Sequence, residues 1–135
     1  GTLEEARFDS AEFDVVHASH LIEHLADPSA FMEEVSRLLK PGGRVILTTP
    51  NADSLQARLF AAKWRSAIAD HMYLFSLSTL ARLLENHGLI IERRKTWGGM
   101  ASGLAPAPVK RLLDAAAKGF GFGDVMVIRA RKPGA

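Results

Sequence analysis

The sequence predicts an α/β domain built around a mainly parallel sheet. Two observations carry that prediction. Valine- and isoleucine-rich runs of strand length alternate with amphipathic stretches of helical period, the order that produces strand–helix–strand units. The strand candidates are also apolar at consecutive positions, as expected where both faces of a strand are covered. A chain of 135 residues has room for one domain with a real core and not for two.

In order, residues 1–11 are polar and acidic, with Leu3 and Phe8 as isolated anchors, and read as a loop with a short helical turn. Residues 13–18, Phe-Asp-Val-Val-His-Ala, form the first strand, and the chain must turn by about His20. Asp27-Pro28 then supplies an N-cap and a proline at the first helical position. That helix runs to about Leu39, with Phe31, Val35, Leu38 and Leu39 on one stripe and Glu33, Glu34 and Arg37 off it. Lys40-Pro41-Gly42-Gly43 ends it in a tight turn, and residues 44–49 form the second strand, closed by Pro50-Asn51.

Asp53 or Ser54 caps a second helix reaching about Lys63, and residues 64–70 are loop. Ser76 caps a third helix with Leu77, Leu80, Leu83 and Leu84 at helical spacing and Gly88 at the C′ position. Residues 89–96 form a third strand followed by Gly98-Gly99; residues 109–118 form an amphipathic helix; residues 124–131 are the last strand, with a frayed tail after it. Gly119-Phe-Gly-Phe-Gly123 has the glycine spacing of a phosphate loop, but it precedes a strand instead of opening a helix, so it reads as a hairpin or loop. The first strand has an interior composition, yet no strand candidate lies before it to cover its other edge. An unpaired apolar edge invites pairing with a second copy, so a homo-oligomer through that edge is expected.

Composition excludes several classes. Net charge is +2, and the 17 lysines and arginines are scattered among apolar positions, which suits solvated faces and makes nucleic-acid binding the minority reading. There is no cysteine, hence no disulfide framework and no thiolate metal site. No apolar run reaches membrane-spanning length and no signal peptide opens the chain, so no membrane partner and a cytoplasmic location are expected.

Several phrases, in order, resemble one family. Phe13-Asp14-Val15-Val16 followed by Glu23-His24-Leu25 and Asp27-Pro28 resembles the fourth strand, and the turn after it, of class I S-adenosylmethionine-dependent methyltransferases. Leu38-Leu39-Lys40-Pro41-Gly42-Gly43 running into Val45-Ile46-Leu47 resembles that family's helix leading to its fifth strand. Thr49-Pro50-Asn51, His71, Phe75-Ser76 and residues 83–89 (Leu-Leu-Glu-Asn-His-Gly-Leu) resemble the stretch leading to its sixth. The resemblance implies a Rossmann-like three-layer sandwich of which this chain supplies the C-terminal portion, residues 1–135, with an antiparallel last strand. It implies S-adenosylmethionine as cofactor and a small-molecule, lipid or sugar acceptor. No glycine-rich turn opening a helix after a strand occurs in the sequence, so the chain alone is expected to be incomplete and inactive.

Residue by residue, the resemblance places Leu3 and Glu4 on the loop that packs on adenine, and Ala18 and Ser19 on the turn whose backbone lies against the methionine moiety. It makes Glu23, Asn51, His71 and Tyr73 acceptor-side positions, and Trp64 and Trp97 candidates for the acceptor pocket or for ordinary packing. His20, Glu23 and His24 form a His-x-x-Glu-His pattern that a helical turn would gather on one face. Three readings stand: a general base or acceptor-orienting group, assigned first to His20; a metal site with His71, like that of small-RNA 2′-O-methyltransferases, although His20 stands where they have an acid; and a turn-stabilising role, assigned first to His24. His20 and His24 are the catalytic candidates and no metal is assigned. Zinc peptidases carry the same pattern on a long helix, which Asp27-Pro28 forbids here. Two other classes remain: a non-catalytic oligomerising module and a metal-dependent RNA methyltransferase-like domain.

Overall fold

A computed structural model describes residues 2–98, 106–119 and 121–134. Four strands form a single sheet: β1 (Phe13–Ser19), β2 (Leu39–Pro50), β3 (Ile90–Trp97) and β4 (Val125–Arg131), in the order β1-β2-β4-β3. β1 and β2 pair in parallel, while β4 slots between β2 and β3 and runs antiparallel to both. The last strand is therefore antiparallel, as the resemblance implies.

Among the described residues, four α-helices connect or flank the strands: α1 (Pro28–Leu38), α2 (Leu55–Phe60), α3 (Leu77–Asn86) and α4 (Ala107–Gly119). α1 starts where expected because the Asp27 carboxylate accepts the N–H groups of Ser29 and Ala30 at 2.9 and 3.0 Å. Ser76 caps α3 in a reciprocal box with Thr79, and Gly88, at φ +75°, ends it. α1 turns Phe31, Met32 and Val35 inward, and α3 turns Leu80, Ala81 and Leu84 inward. They meet Ala18, Val45, Leu47, Met126, Ile128 and Ala130 on one face of the sheet, and these residues form the core.

Three expectations change. Lys40-Pro41-Gly42-Gly43 is no free-standing turn: β2 begins at Leu39, directly after α1, and the phrase forms a bulge opposite β1. Gly42 sits at φ +80°, and a Cβ on Gly43 would lie 2.9 Å from the Lys40 carbonyl oxygen, so the glycines serve strand pairing. The second helix stops at Phe60, where Ala61 at φ 45° turns the chain into a 3-10 turn, Ala61–Lys63. The third change is in burial, not position: β1 lies at the sheet edge, unpaired on one side as expected, but its outer residues are not covered as an interior composition implies, with Val15 53% exposed and His17 exposed too. Of the expected turn Gly98-Gly99, Gly99 lies outside the described residues, as does Phe120 of the glycine repeat.

Candidate active site

The carboxyl ends of β1 and β2 lie side by side, the location at which open α/β sheets bind ligands. Past Ser19 the chain turns sharply at His20, which takes the left-handed conformation at φ 49°. That conformation costs a residue with a side chain roughly 1–2 kcal/mol and persists only where the surroundings impose it. Here the His20 N–H donates to the Thr48 carbonyl at 2.8 Å and its ring Nδ1–H to Glu23 Oε1 at 3.2 Å.

Glu23 sits in a 3-10 turn, Ile22–His24, and is only 1% exposed. A buried carboxylate must have its oxygens bonded to offset lost hydration. Its second oxygen, Oε2, accepts the Thr49 hydroxyl at 2.8 Å. Thr49, Glu23 and His20 thus form a relay that fixes the His20 tautomer and leaves Nε2 as the ring's basic atom. The His20 side chain is half exposed.

His24 and His71 meet edge to face, with ring centroids 4.7 Å apart. His24 Nδ1 donates to the Asp70 carbonyl at 2.8 Å, and His71 Nδ1 donates to the Ser66 carbonyl at 2.7 Å. A carbonyl can only accept, so both rings carry a proton on Nδ1. Potential ligand atoms of Glu23, His24 and His71 all lie within 4.8 Å of one another. Tyr73 straps this segment down: its N–H donates to the Glu23 carbonyl and its hydroxyl to the Ala26 carbonyl, both at 3.2 Å.

Beside this cluster, a cleft of about 330 Å³ opens between residues 2–3 and 21–31. Leu3, Leu21, Leu25, Ala26, Ala30 and Phe31 line it, with Thr2 and Asp27 as the polar edge. Leu3 lines this cleft; the backbone of Glu4 lies in the adjoining 3-10 turn, and its side chain lies outside the described residues. Ala18 points into the core and Ser19 is exposed at the strand end.

Asn51 is fully buried. Its amide donates to the carbonyls of Gly121 and Gly123 at 3.1 and 2.8 Å, and its carbonyl accepts the Asp53 N–H at 3.1 Å. It ties the chain after β2 to the turn before β4, and no polar atom of its side chain is left for an acceptor. Trp64 is buried with its indole N–H on Asp124 at 2.7 Å, whereas Trp97, on β3, is 39% exposed.

Two buried polar residues of this region escaped the sequence reading. Thr49 had a signal: Val45, Leu47 and Thr49 share one face by alternation, and a buried hydroxyl there needs a partner. Asp124 had none, since its partners Ser54, Trp64 and Arg65 lie 59–70 residues away.

The sequence profile of the family described as a methyltransferase domain matches residues 2–93. The chain is 33% identical over 99 residues to the mitochondrial ubiquinone biosynthesis O-methyltransferase of Homo sapiens, a match covering 67% of this chain and 27% of that protein. It is 46% identical over 59 residues to the ubiquinone biosynthesis O-methyltransferase of Methylococcus capsulatus, covering 42% of this chain and 24% of that one. It therefore spans about a quarter of the length of these curated relatives. Among solved structures, a SAM-dependent methyltransferase from Thermotoga maritima superposes with a TM-score of 0.72 at 26% identity, over 98% of this chain and 62% of that one. A SAM-dependent methyltransferase from Archaeoglobus fulgidus superposes at 0.65 with 20% identity, over 96% and 64%, and shares the fold. Sheet order, antiparallel last strand and profile agree: this chain belongs to the methyltransferase-domain family and has its class I, Rossmann-like fold.

Proposed function

We propose that the chain is the acceptor-facing portion of an S-adenosylmethionine-dependent methyltransferase that acts on a hydroxyl of a small molecule. The observation that carries this reading is the Thr49–Glu23–His20 relay at the carboxyl end of the sheet. S-adenosylmethionine, when bound, supplies an electrophilic methyl group. The residues present fit its adenine end: Leu3, Leu21, Leu25 and Phe31 offer apolar surface to a flat ring, with Thr2 and Asp27 at the rim. The chain's own part is to orient the acceptor and take its proton. His20 Nε2 is the base, Glu23 stabilises the imidazolium that results, and Tyr73 holds the neighbouring segment in place. Acceptor chemistry follows the O-methyltransferase names of the relatives.

A second reading has its own support. Metal-ligating histidines usually donate their other ring N–H to a carbonyl or carboxylate, and both His24 and His71 do so beside the buried Glu23. In this reading Glu23, His24 and His71 would hold a divalent cation that would supply Lewis acidity toward the acceptor hydroxyl, and His20 would orient Glu23. The two readings separate in one assay. Methyl transfer to hydroxyl acceptors by the complete protein falls about 10²–10⁴-fold in His20→Ala and survives a chelator if His20 is the base. If a cation does the work, the chelator abolishes transfer and His71→Ala is the severe variant. Unchanged transfer in both variants refutes both readings.

The 135-residue chain by itself is proposed to bind S-adenosylhomocysteine no more tightly than micromolar, because its sequence holds no glycine-rich turn that follows a strand and opens a helix. Titration giving submicromolar binding refutes this. Among the described residues no helix is long and apolar enough to cross a membrane. The cysteine-free composition supports a reducing compartment such as the cytoplasm, and the exposed β1 edge supports self-association.

A further inference from the structure

The relay uses Glu23 and Thr49 and leaves a second buried carboxylate without a role. Asp124, immediately before β4, is 1% exposed and gathers three partners from the α2 end of the fold. Its Oδ1 accepts the Ser54 hydroxyl at 3.1 Å and the Trp64 indole N–H at 2.7 Å. Its Oδ2 accepts Arg65 Nε–H at 2.6 Å and also meets Arg65 Nη2. This fork, two N–H groups of Arg65 on the single oxygen Oδ2, fixes the guanidinium in position, and with it the backbone that carries it.

The next residue along that backbone is Ser66, whose carbonyl accepts His71 Nδ1–H at 2.7 Å. The segment between is closed by two short turns, Ala67 N–H to the Trp64 carbonyl at 2.9 Å and His71 N–H to the Ile68 carbonyl at 3.1 Å. We infer that Asp124 is a positioning residue: by pinning Trp64 and Arg65 it places the Ser66 carbonyl, which sets the tautomer and orientation of the His71 ring against His24 and Glu23. A single chain of contacts thus runs from the last strand to the histidine cluster. The functional value of this inference rests on the reading of that cluster as the working site, while the contact chain can be tested without any turnover.

The test is the tautomer of each imidazole in the full chain, read from long-range ¹H–¹⁵N correlations. In the parent chain His71 gives the Nδ1–H pattern. Asp124→Asn keeps the shape and weakens the fork; Arg65→Ala breaks the fork from the exposed side, at a residue 62% exposed, and so guards against a variant that simply fails to fold. Both are expected to lose the His71 Nδ1–H pattern, while Arg65→Lys, which keeps one N–H donor on Asp124 Oδ2, retains it. His87, whose Nδ1–H donates to the Leu83 carbonyl at 2.8 Å at the far end of α3, is the internal control and stays unchanged. A folded Arg65→Ala or Asp124→Asn chain with the His71 pattern intact overturns the inference, and so does equal loss at His87, which would mark general loosening. Loss confined to His71 in a protein with no methyl transfer upholds the contact chain and refutes the functional reading alone.

Discussion

Thr49→Val tests the relay at its most buried link. Thr49 is fully buried and its hydroxyl is the second of the two side-chain donors on the Glu23 carboxylate. Valine keeps the shape and removes the donor, so the loss is that of one hydrogen bond to a charged group with the acceptor left behind in the core. Such bonds contribute about 1.5–3 kcal/mol, and the abandoned oxygen belongs to a side chain shielded from solvent. A loss of about 2 kcal/mol is expected, which for a domain of this size lowers Tm by roughly 6–10 °C. Urea unfolding followed by circular dichroism reads the first quantity and a thermal scan the second, both at one protein concentration. Glu23→Gln in the same background closes a double-mutant cycle, and the two changes should be non-additive because they share one contact. A Thr49→Val chain within about 0.5 kcal/mol of the parent at unchanged m-value would refute the relay as a buried, energetically coupled unit.

Three further outcomes follow from other parts of the molecule. Leu84, fully buried between α3 and the sheet, should cost about 2–5 kcal/mol when cut to alanine, measured as a shift in urea midpoint; a cost below about 1 kcal/mol would mean that the site collapses freely. Glu92, lifted by the β3 bulge onto Arg44, Arg129 and Arg131 at 3.0, 2.9 and 3.5 Å, has its carboxyl pKa held below the usual range, chiefly by its hydrogen bond from Arg44. The unfolded chain then takes up its proton first as pH falls, so the stabilisation is present above the ordinary glutamate pKa of about 4.3 and is lost as pH drops through the folded value. Glu92→Gln should flatten that acid limb in pH-dependent melts, and an unaltered limb would sink the argument. The apolar β1 edge should drive association, seen as mass rising with concentration in light scattering; a monomer across the whole range would count against it.

Local chemistry wrote much of the fold into the sequence. Asp27-Pro28 and Ser76 name their helix starts because a cap is satisfied by residues within three positions. The Pro41-Gly42-Gly43 phrase misleads for the converse reason: a turn and a bulge ask for the same residues, and only the pairing of β1 with β2 decides between them. The site divides in the same way. His20, Glu23 and His24 are near neighbours in sequence and could be grouped by spacing, whereas the contact of His24 with His71 depends on a loop folding back across 47 positions. Asn51 sits at a strand end where acceptors bind, yet two carbonyls from the β4 turn claim its amide, and neither is near it in sequence.

The place of β4 bears on how the chain is made. Of the four described strands it is the last to be synthesised, yet it lies between β2 and β3, pairing with both. Until it arrives, a nascent chain carries two open edges one strand-width apart, and every β2 and β3 group destined for β4 must wait in water. Closing the sheet then demands pairings more than 70 residues apart along the chain between β2 and β4, an entropically slow step. The interval between synthesis of β3 and docking of β4 is thus when the molecule is most open to capture by other strands, and when a chaperone would have most to protect.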